Sequence, residues 1–156
     1  MQKFAMTDQL TSLYNRYSLS DMASNYLSEA CRHGNPLSII VTDIDYFKKI
    51  NDKYGHSIGD AVLIAVSQLL KNSCRNEDFA ARFGGEEFVI LLPHCNLESA
   101  IQKAETLRQS IETMNPESIP VTASFGVATL PLETTCQFDE LFNMADKAVY
   151  AAKAGG

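Results

Sequence analysis

The chain has 156 residues, a mass of 17.2 kDa and a formal net charge of -6. Hydrophobic residues make up 46% and charged residues 21%, which is the balance of one globular domain and excludes a disordered chain. The negative charge argues against a nucleic-acid partner, which requires a basic surface. No apolar run approaches the ~20 residues of a membrane span, and no basic start is followed by an apolar stretch, so we expect neither a signal peptide nor direct membrane contact in this segment.

The first predicted elements are a helix and a strand. Apolar residues recur at helical spacing over Leu19–Ala30, with Ser18 or Ser20 as the N-cap. The segment 33–36, His-Gly-Asn-Pro, ends this helix, because Gly suits the position after a helix and Pro cannot continue one. The β-branched run Leu37–Ile44 then predicts a buried strand.

Three more helices and three more strands follow. We predict that Gly59-Asp60 opens a helix and that Gly84-Gly85 joins two strands in a hairpin, where the glycines supply the positive φ of a tight turn. The other predicted elements are strands 79–83, 87–92 and 121–130, the last broken by Gly126, and helices 100–111 and 141–152.

The order of these elements indicates the fold class. After the first helix it is β-α-β-β-α-β-α, whose core β-α-β-β-α-β is the split βαβ arrangement. In that core the helices pack on one face of an antiparallel sheet. We therefore predict a single α+β domain with an antiparallel-rich central sheet and a ferredoxin-like core, with helices packed around the sheet.

The four cysteines are scattered, at Cys31, Cys74, Cys95 and Cys136. There is no CxxC pair and no histidine at ligand spacing, which excludes a zinc ribbon and a thioredoxin-like redox site. Such cysteines are typical of a reduced, cytoplasmic protein.

Acidic residues stand at two turns of the predicted sheet. Asp43 and Asp45, at the end of the first strand, share a face while Ile44 points to the core. An isolated pair of this kind is more often a polar strand end than a metal site. Glu86 and Glu87 follow the glycine pair, where adjacent carboxylates are unfavourable unless a cation lies between them. The alternative is an exposed hairpin tip with solvated charges.

Taken together, the two acidic turns are more informative. In the split βαβ topology the first strand neighbours the hairpin, so Asp43 and Glu86 or Glu87 can converge on hard cations such as Mg²⁺. Carboxylates on adjacent strands that hold two metals are typical of phosphoryl and nucleotidyl transfer. Lys48 is placed to offset triphosphate charge, or is simply one of an exposed pair with Lys49.

The chain resembles the GGDEF family of diguanylate cyclases over nearly its whole length. Four motifs match in order: DxLTxLxNR at 8–16, DxDxFKxxND…GHxxGD at 43–60, the signature in its GGEEF form at 84–88, and a closing helix ADKAVYAAK at 145–153. The resemblance implies a nucleotidyl cyclase or polymerase palm-like sheet. It also implies one GGDEF-type catalytic domain over 1–156, and we expect an N-terminal sensor or dimerisation region in a longer protein.

The function that the resemblance implies is condensation of two GTP molecules into cyclic di-GMP with release of pyrophosphate. The cofactors are Mg²⁺ or Mn²⁺, two per active site. Each domain holds one GTP, and the two 3′-hydroxyls attack across a two-fold axis, so a homodimer is required.

The resemblance also implies roles for individual residues. Asp43, the Ile44 carbonyl and Glu86 hold metal, and Glu87 is a further ligand or deprotonates the 3′-hydroxyl. The implied substrate contacts are Phe47, Lys48 and Lys153 to phosphates, and Asn51, His56 and Asp60 around the guanine.

Asp60 bears on base choice. A carboxylate accepts two parallel hydrogen bonds from the N1–H and amino group of guanine, and adenine offers no such pair on that edge. Asp60 therefore favours GTP over ATP.

A further match is RxxD at Arg75 and Asp78, six residues before Gly84. The resemblance implies that this motif binds cyclic di-GMP in product inhibition. The second arginine that some members use corresponds to Thr106, so we expect weak inhibition. The alternative is a charged loop at a helix end.

Two rival functions stay open at this stage. One is a binding module that senses GTP or cyclic di-GMP without making it, against which the complete set of signature residues weighs. The other is a cyclase with a mixed dinucleotide product, against which Asp60 weighs.

Overall fold

The computed structural model describes residues 6–130 and 137–155. The helices are α1 (Arg16–His33), α2 (Phe47–Tyr54), α3 (His56–Ser73), α4 (Leu97–Met114) and α5 (Phe138–Gly155), with a single 3₁₀ turn at Pro116–Ser118. The strands are β1 (Leu37–Ile44), β2 (Phe79–Arg82), β3 (Glu87–Pro93) and β4 (Ala123–Thr129).

The four strands form one antiparallel sheet in the order β2-β3-β1-β4. This confirms the predicted α+β class with its split βαβ core. β1 lies in the centre between β3 and β4, and its register with β3 sets Asp43 opposite Glu87. The last residues of β1 and the first residue of β3 therefore share one end of the sheet.

Helices pack around the sheet on both faces, as predicted, and the two helices of the split βαβ core, α3 and α4, lie on the same face. Ile40 and Ile44 of β1 belong to a core with α2, α3 and α4, whereas Ile39 and Val41 belong to a second core with α1 and α5. β1 is buried at every position from 37 to 42. A strand that is apolar on both faces needs helices on both.

The N-terminal boundary of α1 differs from the prediction. Asn15, not Ser18 or Ser20, is the N-cap, and its side-chain oxygen accepts a hydrogen bond from the Ser18 amide at 3.0 Å. The Ser18 hydroxyl is used elsewhere, since it donates to the carbonyl of Met6 at 2.7 Å. α1 ends as predicted at Gly34, which has a φ of 65°.

A short helix between β1 and α3 was not predicted. Gly55 follows the last residue of α2, and its φ of 94° turns the chain directly into α3. α3 therefore begins at His56, three residues before the predicted start at Gly59. Gly59 lies inside the helix, and a side chain at this position would overlap that of Asn51, so only glycine fits between α2 and α3.

β4 runs without a break through Gly126, contrary to the prediction. Gly126 pairs with Val41 of β1 like its neighbours. A Cβ at this position would overlap the carbonyl of Ala145 and the amide of Val149 in α5. The glycine therefore allows α5 to lie directly on the sheet.

Two predictions on composition can be compared with the described residues. Cys31, Cys74 and Cys95 are free thiols, and Cys136 lies outside the described residues. Within 6–130 and 137–155, no helix is both long enough and apolar enough to cross a bilayer.

Candidate active site

The acidic residues of the two turns meet at one end of the sheet. Asp43 and Glu87 are opposite partners on β1 and β3. The Ile44 amide donates to the carbonyl of Glu86 at 3.2 Å, which extends the pairing to the turn. Neighbouring strands thus bring three carboxylates together, where like charges directly opposite are unfavourable. We call these residues, Asp43, Glu86 and Glu87, the acidic edge.

The turn before Glu87 is held by hydrogen bonds rather than by glycine conformation. Neither Gly84 nor Gly85 has a positive φ, so that prediction is wrong. The Phe83 and Gly84 amides both donate to the carbonyl of Glu87, at 2.8 and 3.2 Å. A Cβ on Gly85 would meet nothing within 4 Å, so the outer side of the turn is open.

Arg82 fixes the turn from the side. Its Nε and Nη2 donate to the carbonyl of Gly85 at 3.1 and 2.7 Å, and its Nη1 pairs with Asp8 at 3.1 Å. The same Asp8 carboxylate accepts the amide and hydroxyl of Thr11. The N-terminal motif and the signature are therefore joined through one arginine, a link that the spacing of the motifs did not reveal.

Asp43 carries a carboxylate oxygen without a hydrogen bond. Its Oδ1 is buried and accepts no hydrogen bond in the described part of the chain, and the Lys153 ammonium lies 3.6 Å away. Burial raises the pKa of Asp43, and the charges of Glu86 and Asp45 add to this effect, which outweighs the opposing charge of Lys153. Hard cations take oxygen ligands, so this carboxylate oxygen is available to coordinate one.

Glu87 has the largest shift at the acidic edge. Burial raises the pKa of Glu87 to about 7, and the charges of Asp146, Asp43 and Glu86 contribute in that order. Arg16 acts in the opposite direction. Asp146, on α5, was not singled out from the sequence, although it stands inside the closing motif.

Asp45, two residues after Asp43, differs because both of its carboxylate oxygens accept hydrogen bonds. Its Oδ1 accepts hydrogen bonds from Ser124 at 2.8 Å and Lys153 at 2.9 Å, and its Oδ2 accepts from Thr122 at 2.8 Å. Burial works to raise the pKa of Asp45, but these hydrogen bonds and the Lys153 charge hold it below its usual range. The two aspartates therefore have different chemistry.

The acidic edge fits a divalent cation. Its ligand atoms are carboxylate oxygens, one of them buried without a hydrogen bond from the described residues, and neighbouring negative charges help to raise the pKa of Asp43 and of Glu87. In the described residues, no three His, Cys, Asp or Glu side chains form a metal cage by themselves. Mg²⁺ does not require such a cage, because proteins usually hold it by one or two carboxylates plus substrate phosphates.

The residues expected to contact substrate lie on α2 and α3. Phe47 is buried at the start of α2, and Lys48 is exposed beside it. Asn51 packs against Gly59, while His56 and Asp60 are exposed on the first turns of α3. The residues expected to bind guanine are therefore close in the fold.

The lysine that pairs with the acidic edge is Lys153 and not Lys48. Among the described residues, the Lys153 ammonium forms the ion pairs with both Asp43 and Asp45, at 3.6 and 2.9 Å. Burial works to lower the pKa of Lys153, but the hydrogen bond that it donates to Asp45 and the charges of Asp43 and Asp45 raise it.

The RxxD motif forms a second charged corner, where β2 begins. The Asp78 side chain is 0% exposed and accepts from the Arg75 amide at 2.9 Å and from its Nη2 at 3.1 Å. Arg75 Nη2 also donates to the carbonyl of Pro93, and Lys103 lies 3.5 Å from Asp78. Lys103, which the sequence reasoning missed, donates to the carbonyl of Ser73 at 2.6 Å.

The surroundings of this corner bear on the absent second arginine. Thr106 is exposed on α4, and Arg108 is held by Glu105 and Glu112 at 2.6 and 2.9 Å. The Arg108 guanidinium is therefore paired along α4 with carboxylates of the same helix. Nearby, burial and then the Asp78 charge raise the pKa of Cys74 to about 11, which keeps the thiol protonated.

Comparison with known proteins agrees with this geometry. The family described as diguanylate cyclase, GGDEF domain, matches residues 5–156. The chain belongs to the GGDEF family. It is 41% identical to diguanylate cyclase DgcP of Pseudomonas aeruginosa over 97% of this chain and 23% of DgcP. The chain covers 35% and 33% of the lengths of two other curated relatives, so it spans only part of each protein that it matches.

Solved structures of GGDEF domains share the whole fold. The GGDEF domain of DgcB from Caulobacter crescentus, in complex with c-di-GMP, has a TM-score of 0.90 at 32% identity, covering 100% of this chain and 92% of that one. The active GGEEF domain of a diguanylate cyclase from Vibrio cholerae has a TM-score of 0.86 at 33% identity, covering 91% and 92%.

Proposed function

We propose that this GGDEF domain synthesises cyclic di-GMP from two GTP molecules. Each 3′-hydroxyl attacks the α-phosphorus of the other nucleotide, the bond to the β-phosphate breaks, and pyrophosphate leaves. The observation that carries the proposal is the acidic edge, where Asp43 faces Glu87 across the strand pair and keeps a buried oxygen without a hydrogen bond. The family match and the relatives named as diguanylate cyclases support it.

Asp43, the Ile44 carbonyl and Glu86 are the groups that would hold the metal. Two Mg²⁺ or Mn²⁺ ions supply charge stabilisation to the attacking and leaving oxygens. Glu87 either adds a ligand or accepts the proton of the 3′-hydroxyl. A carboxyl whose pKa lies near 7 is suited to proton transfer at neutral pH.

The substrate groups divide between phosphate and base. Lys48, Lys153 and the backbone amide at Phe47 bind the phosphates in this proposal. Asn51 and Asp60 bind the guanine edge, with His56 lining the same pocket. The exposure of Asp60 and its place one turn into α3 leave its carboxylate accessible to a ligand.

The reaction needs two copies of the domain, because each GTP supplies one nucleophile and one electrophile. We propose a homodimer whose two acidic edges face each other across a two-fold axis. The product then has a second site at the RxxD corner, where Arg75 and Asp78 bind cyclic di-GMP weakly and slow the enzyme.

The test is to join two copies through a fused N-terminal dimeric coiled coil and incubate them with GTP and Mg²⁺. We expect mass spectrometry to show cyclic di-GMP and pyrophosphate. Glu87→Gln in the same fusion, a nearly isosteric change, is expected to form no product. A folded dimer that binds GTP without forming product would favour a sensing module and contradict the proposal, as would a mixed dinucleotide when ATP is added.

A further inference from the structure

The structure sets the two aspartates at the end of β1 in different roles, and only one of them has a place in the proposed reaction. Asp43 keeps a buried oxygen without a hydrogen bond. Both oxygens of Asp45 are occupied, Oδ2 by Thr122 and Oδ1 by Ser124 and Lys153. A carboxylate that already accepts three hydrogen bonds is poorly available to a metal ion.

Hydrogen bonds hold Asp45 through its backbone as well as its side chain. The Asp45 amide donates to the carbonyl of Thr122 at 2.9 Å, so the backbone as well as the side chain is tied to the segment that leads into β4. Ser124 stands on β4 opposite Asp43. Asp45 therefore forms a fixed negative group beside the acidic edge.

Lys153 is the cationic partner in this arrangement. Its side chain is 34% exposed on the last turns of α5, and its ammonium lies 2.9 Å from Asp45 and 3.6 Å from Asp43. A lysine has a flexible four-carbon stem, so its position depends on the group that holds the ammonium. Lys153 lies near the C-terminal end of α5, and its hydrogen bond to Asp45 holds the ammonium in position.

We propose that Asp45 is a positioning residue, which holds the Lys153 ammonium at the edge of the nucleotide site so that it meets the phosphates of bound GTP. The same ammonium lies 3.6 Å from the buried Asp43 oxygen and offsets its charge. The inference rests on the proposed function, because it takes Lys153 as a phosphate contact. It adds that Asp45 acts through Lys153 and not as a metal ligand.

The test is a double-mutant cycle on nucleotide affinity. Calorimetry measures binding of a non-hydrolysable GTP analogue with Mg²⁺ to wild type, Asp45→Asn, Lys153→Met and the double variant. We expect Asp45→Asn to weaken binding about tenfold, the loss expected for one charge-assisted contact. In the Lys153→Met background the same change is expected to have no further effect.

The matched background is Lys48→Met, which removes the other proposed phosphate lysine. Asp45→Asn is expected to keep its full effect there, because Asp45 and Lys48 do not share a hydrogen bond in the described structure. Since Asp45→Asn could disturb the loop, Thr122→Val provides a milder variant: it removes one hydrogen bond to Asp45, and we expect a smaller weakening that also vanishes in the Lys153→Met background.

The outcomes separate the inference from the proposed function. If wild type binds the analogue and Lys153→Met weakens binding, but Asp45→Asn acts equally in both lysine backgrounds, the positioning role is wrong and the proposed function stands. Loss of Mn²⁺ affinity in Asp45→Asn, measured without nucleotide, would make Asp45 a metal ligand and also overturn the inference. Absence of analogue binding to folded wild type would overturn both.

Discussion

The acidic edge and the RxxD corner both contain partly buried carboxylates, but their charges are treated in opposite ways. At the corner, Asp78 is fully buried and accepts from the Arg75 backbone and side chain, with Lys103 3.5 Å away. At the edge, Asp43 has a buried oxygen without a hydrogen bond, and Glu87 has a pKa of about 7. The Asp78 carboxylate is therefore neutralised within the chain while Arg75 stays half-exposed, whereas the carboxylates of the acidic edge still need a cation to offset their charge.

The largest expected effect comes from Asp43. Asp43→Asn is expected to lower cyclic di-GMP synthesis in the fused dimer by about 10³-fold or more, since it removes a metal-binding charge. Its free energy of unfolding is expected to be unchanged or about 1 kcal/mol higher, because burial and the neighbouring carboxylates disfavour the Asp43 charge more than Lys153 favours it.

Asp78→Asn sharpens the contrast between the two regions. It leaves Arg75 and Lys103 without their buried partner, so the free energy of unfolding is expected to fall by about 2 kcal/mol. Urea denaturation monitored by circular dichroism compares both variants with wild type. A larger loss of stability in Asp43→Asn than in Asp78→Asn would show that the comparison is wrong.

The second expected effect concerns base choice. Asp60→Ser is expected to lower the preference for GTP over ATP by about 100-fold, because the guanine N1–H and amino group lose their acceptors. Competition between the two nucleotides for the fused dimer gives this ratio. Asp52→Ser, at an exposed aspartate of α2, is the matched control and is expected to leave the ratio unchanged. An unchanged ratio in Asp60→Ser would remove Asp60 from the guanine site.

The third effect concerns product binding at the RxxD corner. We expect cyclic di-GMP to bind wild type with a micromolar or weaker Kd, because one arginine supplies one charge-assisted contact worth about 1.5–3 kcal/mol. Arg75→Ala is expected to abolish the calorimetric signal without changing the affinity for GTP. Arg108→Ala is the control, since Glu105 and Glu112 already hold that guanidinium. Identical isotherms for wild type and Arg75→Ala would make RxxD a chance match.

The smallest expected effect is a pH dependence of stability. The folded pKa of Glu87, about 7, lies above its ordinary value of 4.5, so the folded state holds the extra proton between these values. Stability is therefore highest below pH 4.5 as far as this group is concerned, and falls as pH rises from about 4.5 through about 7. In EDTA, the Tm of wild type is expected to fall by a few degrees from pH 5 to pH 8 relative to that of Glu87→Gln. Parallel Tm curves would contradict the raised pKa.

Much of the fold could be predicted from local sequence signals. The β-branched run of β1 and the Gly-Asn-Pro stop after α1 depend on neighbouring residues alone, and the structure agrees with both. The errors arose where tertiary contacts decide. Gly126 was read as a strand break, although its function is to admit the backbone of α5. α2 was missed because its eight residues are too few for a helical period to be recognised from the sequence.

The candidate site was predictable in its residues but not in its pairing. The spacing of the motifs indicated Asp43, Glu86 and Glu87, and the split βαβ order indicated that their strands are neighbours. Nothing in the spacing showed that Lys153, 108 positions after Asp45, lies against it, or that Arg82 joins Asp8 to the signature turn. Such long-range pairs depend on the packing of α5 and of the N-terminal motif on the sheet.

The most direct test of the acidic edge is paramagnetic broadening by Mn²⁺ in amide NMR spectra of the labelled domain. The account predicts that substoichiometric Mn²⁺ first broadens the amide signals of residues 43–45 and 86–87, leaves those of residues 75–78 sharp, and loses this pattern in Asp43→Asn. Equal broadening at the RxxD corner, or a pattern unchanged by Asp43→Asn, would contradict it.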